Sequence, residues 1–263
     1  MDSDSSQIEA RTLAWLSNQS DLVKAFDEGK DVYKIMASTI YNKNIKDITK
    51  EERFVGKTTI LGAGYGMGAE KFKNQLKTFG VELDIKETEY IIQTYRSTYA
   101  EIPRLWRKAQ SMITAIKNNK LTSFGYNNIL IVEGNKGIKL PNGMYIKYDN
   151  IRNLKIGDGK EETVYDIKRG RTITATRLYG GKVIENVCQA LARIVIGEQM
   201  LKVSKKYKVV MTVHDAITCI VKEEEVEEAK EFIGEVMRER PTWAIELPLD
   251  CEVGTGKNYG ACS

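Results

Sequence analysis

Side chains that could bind phosphates and a base recur at helical spacing in one stretch of the sequence. The series is Arg53, Lys57, Leu61 and either Gly64 or Tyr65. Residues three or four positions apart lie on one face of a helix. Two cations on such a face match a run of phosphates, and an aromatic side chain further along could stack on a base. The stretch therefore predicts a helical platform for a nucleoside triphosphate.

Three other interpretations of this stretch can be compared with that one. Residues 56–58, Gly-Lys-Thr, resemble the end of a P-loop, but that motif needs a glycine where Glu51 stands. Gly64, Gly66 and Ala69 fit a loose dinucleotide-binding pattern, yet a helical pattern precedes them instead of a short strand. A basic amphipathic helix with a glycine-rich stop, without a ligand, remains the third alternative.

Two further segments each carry an aspartate, one before a helical pattern and one between two apolar runs. Residues 4–11 lead into a helical pattern, where an aspartate and serines would by themselves be ordinary helix caps. Residues 209–220 form two apolar runs joined by a polar turn at His214 and Asp215, which alone would be an ordinary hairpin. Neither segment by itself therefore indicates a function, and each must be interpreted together with the rest of the sequence.

Taken in order, the three segments resemble the sequence motifs of family A DNA polymerases, the group that includes bacterial DNA polymerase I. Residues 4–11 are identical to motif A at six of eight positions, and residues 53–66 are similar to the nucleotide-binding helix of the fingers. Residues 213–216 resemble motif C, with Ala216 in place of the usual glutamate. Leu61 stands where the family usually has Phe or Tyr.

The resemblance implies a metal site and an activity. Asp4 and Asp215 would hold two Mg²⁺ ions, for which Mn²⁺ can substitute, and the main-chain carbonyl of Ser5 would help to hold one. A carboxylate at the end of a strand presents the hard oxygens that Mg²⁺ prefers. Two such ions would activate a primer 3′-hydroxyl and stabilise the pyrophosphate leaving group. The implied reaction is template-directed DNA synthesis from dNTPs on primer-template DNA.

Nucleotide contacts are implied by the same resemblance. They fall on Glu9, Tyr33, Arg53, Lys57, Leu61 and Tyr65. Arg53 and Lys57 would neutralise the triphosphate as charge develops on it, which makes Lys57 a catalytic residue. Tyr65 would guard the templating position, and Glu9 would be the steric gate that crowds a ribose 2′-hydroxyl. Tyr33 stands where the family usually has histidine, and its hydroxyl could still donate a hydrogen bond.

DNA contacts are implied mainly by a long helical pattern at residues 181–202. Polar side chains of this segment resemble those of the palm helix that reach the minor groove of the primer-template. Side chains that read shared minor-groove acceptors can check base-pair geometry without reading sequence. The implied DNA-contacting residues are Gly66, Asn186, Gln189, Arg193 and His214.

The resemblance also implies an α+β fold: a right-hand polymerase palm, an antiparallel sheet with helices, and mainly helical fingers. The palm would comprise residues 1–19 and 181–263, and the fingers residues 20–180. The fingers would include a β-rich basic insert at about residues 121–176, whose cations could meet DNA phosphates or form a solvated face. Within it, Asn142-Gly143 is typical of a hairpin turn.

The position of motif A near residue 1 predicts that the thumb and exonuclease domains are absent. An N-terminal polymerase polypeptide carrying the thumb and upstream palm is therefore an expected partner. A natural split gene product, a processed piece and an engineered fragment all fit this expectation. Exposed apolar surface left by the missing part would favour such a partner chain.

Composition limits the classes of protein that the chain can belong to. With 263 residues and 42% hydrophobic content, it can form one large or two modest globular domains. Its net charge of only +4 means that nucleic-acid binding would depend on a local basic patch. Four widely spaced cysteines, a polar start and the lack of a long apolar run predict a cytoplasmic protein without a membrane partner.

Two functions compete with a DNA polymerase. Single-subunit RNA polymerases share the two aspartates and the Arg-Lys-Tyr helix, but a steric gate such as Glu9 favours deoxynucleotides. A non-catalytic polymerase subunit or remnant that binds DNA or a partner chain is the second alternative. The presence of both Asp4 and Asp215 favours the catalytic interpretation.

Overall fold

The computed structural model describes residues 1–262, except for the side chain of Asp158. The α-helices are α1 (Ile8–Ser17), α2 (Ser20–Asp27), α3 (Val32–Tyr41), α4 (Lys50–Ala63), α5 (Ala69–Thr78), α6 (Ile85–Thr98), α7 (Glu101–Lys117), α8 (Gly180–Val203) and α9 (Val226–Arg238). The strands are β1 (Asp2–Ser5), β2 (Leu121–Phe124), β3 (Leu130–Glu133), β4 (Gly137–Lys139), β5 (Tyr145–Ile146), β6 (Asp149–Lys155), β7 (Glu161–Arg169), β8 (Thr172–Arg177), β9 (Lys208–Val213), β10 (Ala216–Ile220) and β11 (Cys251–Gly254). Within the described part of the chain, no helix is long and apolar enough to cross a membrane.

The chain divides into two compact units. The first comprises Met1–Trp15, Ser20–Lys30 and residues 188–262. The second comprises Leu16–Gln19 and Asp31–Val187. The first unit is therefore assembled from distant parts of the sequence, whereas the second is nearly continuous.

An antiparallel sheet with the strand order β11-β1-β10-β9 forms the centre of the first unit. In the register of this sheet, Asp4 on β1 lies opposite Ala216 on β10 and Glu252 on β11. Successive side chains of a strand point to opposite faces. Ser3 and Ser5 are buried on one face of β1, so Asp4 lies on the other, accessible face.

Helix α9 covers the buried face of this sheet by packing on β1 and β11. Its Ile233 and Met237 are fully buried. The thiol of Cys251 on β11 donates a hydrogen bond to the carbonyl oxygen of Gly234, at an S···O distance of 3.7 Å. Gln199 of α8 donates its side-chain amide to the Met237 carbonyl at 2.8 Å. These contacts anchor α9 to the sheet that carries Asp4, and α8 to α9.

Helices α3 and α4 of the second unit approach each other unusually closely at Gly56. A Cβ atom at this position would lie 2.2 Å from the carbonyl oxygen of Tyr33 and 3.1 Å from the amide nitrogen of Ala37. Only glycine fits, since real Cβ atoms do not come this close to backbone atoms. The close approach fixes the orientation of α4 against α3.

The remainder of the second unit contains two antiparallel sheets, ordered β2-β3-β4-β5 and β6-β7-β8. Phe124, Leu130 and Ile138 are fully buried in the first of these sheets. Strands β4 and β5 pair across a turn in which Gly143 has φ +84°, so the predicted hairpin is confirmed. The β-rich region thus has its own apolar core.

Replacing Gly56 by alanine is expected to destabilise the protein by about 1–3 kcal/mol, because the added methyl group must push α3 and α4 apart. Urea unfolding measures this free energy. Gly197→Ala in α8 is the matched control, since a Cβ there meets nothing within 4 Å. That control should gain up to about 1 kcal/mol from helix propensity. Equal stability of the two variants would contradict the close contact of α3 and α4 at Gly56.

Candidate functional site

Strand β1 and the turn between β9 and β10 bring two aspartates together. Asp4 lies opposite Ala216, the residue directly after Asp215. The amide of Ser5 donates a hydrogen bond to the Asp215 carbonyl oxygen at 3.3 Å. His214 opens the turn with φ +53°, in the left-handed region, and its side chain is exposed. The sheet register therefore places Asp4 and Asp215 beside each other although they are far apart in sequence.

The electrostatic environment of Asp4 shows that other carboxyl groups converge on it. The pKa of Asp4 is raised, first because partial burial disfavours the charged carboxylate and second because of the negative charge of Asp215. Asp2 and Glu252 act in the same direction, whereas His214 acts in the opposite one. This face of the sheet is therefore a concentration of negative charge that a cation would relieve.

The donor atoms of this carboxylate cluster fit a divalent cation. Mg²⁺ prefers oxygen ligands and commonly takes one or two carboxylates together with waters and substrate phosphates. Across residues 1–262, no three His, Cys, Asp or Glu side chains form a complete metal-binding group on their own. Asp4 and Asp215 offer carboxylate oxygens to a cation, which would need further oxygen ligands from water or a substrate.

Helix α4 presents a narrow exposed stripe. The helix begins with a capping box, in which Thr49 and Glu52 each accept a hydrogen bond from the other's amide. From residue 55 to residue 64, every side chain or glycine is buried except Lys57 and Leu61. Leu61 is 42% exposed, which is unusual for leucine in a helix that is otherwise so buried. Lys57 and Leu61, which the sequence predicts to lie on one face of the helix, are thus accessible to a ligand.

Arg53, one turn before this stripe, is held in place by its neighbours. Its Nε donates a hydrogen bond to Asp31 Oδ2 at 2.7 Å, and its guanidinium carbon lies 5.2 Å from the centre of the Tyr33 ring. Partial burial alone would raise the pKa of Asp31, but hydrogen bonds from Arg53 and the Lys34 amide outweigh that effect and lower it. Tyr33 is only 6% exposed, so its ring supports Arg53 from below.

The glycine-rich turn after α4 is also fixed by distant side chains. The indole N–H of Trp106 donates a hydrogen bond to the Gly64 carbonyl at 2.9 Å. The guanidinium group of Arg96 lies over the Trp106 ring, 5.7 Å from its centre. Gly66 has φ +82°, which favours glycine. Tyr65, between these two glycines, is half-buried and follows the exposed stripe of α4.

The predicted DNA-contacting residues of α8 differ in accessibility. Gln189 and Arg193 are one turn apart and both exposed. Asn186 is half-buried, and its amide donates a hydrogen bond to the Tyr148 hydroxyl at 3.1 Å. Burial raises the pKa of that hydroxyl. Glu9 is half-buried in the first turn of α1.

The predicted site residues are distributed over both units. The first unit contains Asp4, Ser5, Glu9, Gln189, Arg193, His214 and Asp215. The second unit contains Tyr33, Arg53, Lys57, Leu61, Tyr65, Gly66 and Asn186. Sequence reasoning did not predict the supporting contacts of Asp2, Asp31, Arg96, Trp106 and Glu252. Only Asp31 had a local sequence feature, its place directly before a helical pattern, where an aspartate commonly caps the helix.

A comparison with solved structures defines the fold class. The POL domain of Pol1 from M. smegmatis, solved in complex with DNA primer-template and dNTP, matches with a TM-score of 0.69 and 22% identity. The match covers 99% of this chain and 40% of that chain. The predicted α+β fold of the right-hand polymerase type is therefore confirmed.

The chain belongs to DNA polymerase family A, whose family model matches residues 1–130 and 185–261. The resemblance drawn from the three motifs is thereby confirmed. The chain is 29% identical to a DNA polymerase of Bacillus phage SP02 over 95% of its own length and 39% of that protein. It is 26% identical to DNA polymerase I of Synechocystis over 97% of its length and 24% of that protein. The chain thus spans well under half the length of these relatives.

Replacing Asp4 by asparagine is expected to stabilise the protein at pH 7, because it removes a carboxylate that its neighbours repel. The pKa of Asp4 is raised in the folded state, so ionising this carboxyl group destabilises the fold. This cost is absent below the pKa of Asp4 in the unfolded chain, and it appears as the pH rises through the pKa of the folded state. Urea unfolding should show a gain of about 0.5 kcal/mol at neutral pH, the scale of a screened surface interaction, and none in acid.

Mg²⁺ is expected to make the wild type more stable than the Asp4→Asn variant. Ligand binding to the folded state raises its melting temperature, so the wild type should be stabilised by Mg²⁺ and the Asp4→Asn variant should not. Asp47→Asn, at an exposed position, is the control and should respond as the wild type does. The same Mg²⁺-dependent shift in all three proteins would rule out the carboxylate cluster as the binding site.

Proposed function

We propose that this chain supplies the palm and fingers of a template-directed DNA polymerase, which transfers a nucleotide from a dNTP to a primer 3′-hydroxyl. The observation that carries the proposal is the convergence of Asp4 on β1 with Asp215 in the turn before the paired strand β10, in a family A chain. On this proposal the first unit corresponds to the palm and the second unit to the fingers.

The proposed metal ligands are Asp4, Asp215 and the main-chain carbonyl of Ser5, with two Mg²⁺ ions, or Mn²⁺, as cofactors. When bound, such ions activate the attacking hydroxyl and stabilise the leaving oxygens. The chain's own contribution is to hold one carboxylate on β1 and the other in the turn directly before β10, which the hydrogen bond from the Ser5 amide to the Asp215 carbonyl supports. Neighbouring Asp2 and Glu252 add negative charge that favours cation binding.

The proposed nucleotide site is the exposed stripe of α4. Lys57 and Arg53 would contact the triphosphate, where a cation stabilises the charge that develops during phosphoryl transfer. Asp31 would hold Arg53 in a fixed orientation, which lowers the entropy lost on binding. Leu61 would lie beside the deoxyribose, and Tyr65 would guard the templating position.

Sugar selection and DNA binding are assigned to the remaining predicted residues. Glu9 would crowd a 2′-hydroxyl and so favour dNTPs over rNTPs. Gln189 and Arg193 are both exposed on α8, as minor-groove contacts require. The other proposed contributions are the nucleotide contact of Tyr33 and the DNA contacts of Gly66, Asn186 and His214.

A second polypeptide or chain segment that carries the remaining parts of the polymerase is also part of the proposal. This chain spans 39% and 24% of the lengths of two relatives, and the proposal assigns the parts that they have in addition to such a polypeptide or segment. Its contribution is measured by comparing the primer extension activity of the chain alone with that of the chain and the upstream half of a phage-type family A polymerase together.

Primer extension with dNTPs and Mg²⁺ tests the proposed activity. Asp215→Asn is expected to lower the rate by about 10²-fold or more, because several kcal/mol of metal-dependent transition-state stabilisation are lost. Asp47→Asn is the matched control and should retain full activity. If neither the chain alone nor the chain with the upstream half extends the primer, a non-catalytic role in binding DNA or a partner replaces the proposal. Preferential incorporation of rNTPs would instead favour an RNA polymerase.

Leu61 provides a test of the nucleotide site. Leu61→Phe is expected to change the ratio of dideoxynucleotide to deoxynucleotide incorporation several-fold, because a flat ring contacts the sugar differently from a branched aliphatic side chain. Leu201→Phe, at another exposed leucine, is the control. Equal ratios for wild type and Leu61→Phe would show that Leu61 does not lie beside the sugar.

A further inference from the structure

The family model leaves residues 131–184 unmatched, and these residues carry the excess positive charge of the chain. We call them the basic extension. It contains eleven Lys and Arg but six Asp and Glu, a net charge of +5, whereas the whole chain has +4. The rest of the chain is therefore slightly acidic, with a net charge of −1. Any attraction of the chain to a polyanion through net charge must come from this extension.

Ion pairs neutralise several of the acids in the basic extension. These pairs are Lys136 with Glu133, Arg152 with Asp166, and Arg177 with Glu162. Beyond Asp166, the extension contains no further acid up to its end at residue 184. Residues 167–184 therefore carry five Lys and Arg and no acid, and three of these cations lie at the turn between β7 and β8.

The tip of the β7–β8 hairpin carries three cations within four residues. Lys168 and Arg169 end β7, and Arg171 stands directly before β8. Gly170 has φ +59° at the first position of the two-residue loop, where a hairpin favours glycine. All three cations are exposed, and among the described side chains none of them forms an ion pair. We call these three residues the basic tip.

The adjoining strand adds neutral hydrogen-bond donors to the same surface. Thr172 and Thr174 on β8 are exposed, and Thr172 pairs directly with Arg169. Because side chains alternate along a strand, Thr172, Thr174 and Arg169 lie on one face of the hairpin. Guanidinium and hydroxyl groups together are the usual donors to phosphate oxygens in protein–DNA contacts.

We propose that the basic tip binds the phosphate backbone of duplex DNA, independently of sequence, at a site outside the region that the family model matches. A two-stranded β-ribbon has dimensions that fit along a DNA groove. The choice of DNA as the polyanion rests on the proposed function. The additional contacts would lengthen the occupancy of the primer-template and so raise the number of nucleotides added per binding event.

Salt-dependent binding measures the number of phosphate contacts. Fluorescence anisotropy with a labelled DNA duplex, in EDTA and without nucleotides, would compare the wild type with Lys168→Gln/Arg169→Gln/Arg171→Gln. The slope of log K against log salt changes by about 0.9 per phosphate contact. The variant is therefore expected to have a slope shallower by about two to three, with weaker binding at low salt.

A matched triple variant controls for the change in net charge. Lys205→Gln/Lys230→Gln/Lys257→Gln removes three exposed cations of the first unit and should retain the wild-type slope. Thermal unfolding of both variants checks that they are folded. An equal slope for the wild type and the basic-tip variant would overturn the proposal. An equal reduction of the slope in both triple variants would also overturn it. Poly-glutamate can replace DNA in the same assay. If the basic-tip substitutions weakened binding to poly-glutamate but not to DNA, the proposal would be overturned in favour of an acidic protein partner.

The binding assay separates this proposal from the proposed polymerase activity. A tip-dependent slope without primer extension supports DNA binding by the basic tip and contradicts the polymerase proposal. Primer extension with an unchanged slope supports the polymerase proposal and overturns the role of the basic tip.

Discussion

The antiparallel register of β1 against β10 is the constraint on which the carboxylate cluster depends. Ser3 and Ser5 are almost completely buried on one face of β1, while Asp4 lies on the other. A shift of one residue would exchange the two faces and bury the carboxylate. Burying an unpaired charge costs far more than burying a serine. The small buried serines therefore determine where the carboxylate of Asp4 lies.

A different kind of constraint positions the cationic face of α4. Gly56 allows α3 and α4 to touch through their backbones, and Asp31 at the start of α3 then reaches Arg53. Lys57, by contrast, is exposed and takes part in no ion pair among the described side chains. Arg53 is therefore held by an ion pair and a neighbouring ring, whereas Lys57 presents its ammonium group to solvent.

The sequence was most informative where chemistry depends on neighbouring residues. The motifs around Asp4, Arg53 and Asp215 identified the family, and the Asn-Gly turn identified a hairpin, because each signal lies within a few positions. The contact of Trp106 with the Gly64 carbonyl spans 42 positions. No spacing rule connects residues so far apart, since only the packing of helices brings them together. The contribution of Glu252 to the charge near Asp4 was missed for the same reason.

The central position of β1 in its sheet also determines the order in which the two units can fold. Its partners β10 and β11 follow it in the chain by about 210 residues or more, so β1 leaves the ribosome long before the strands on either side of it. The stretch Asp31–Val187 of the second unit is continuous and can fold from local contacts meanwhile. Long-range strand pairing is slow because the entropy of loop closure must be overcome first. During synthesis, the surface that carries Asp4 is therefore completed last.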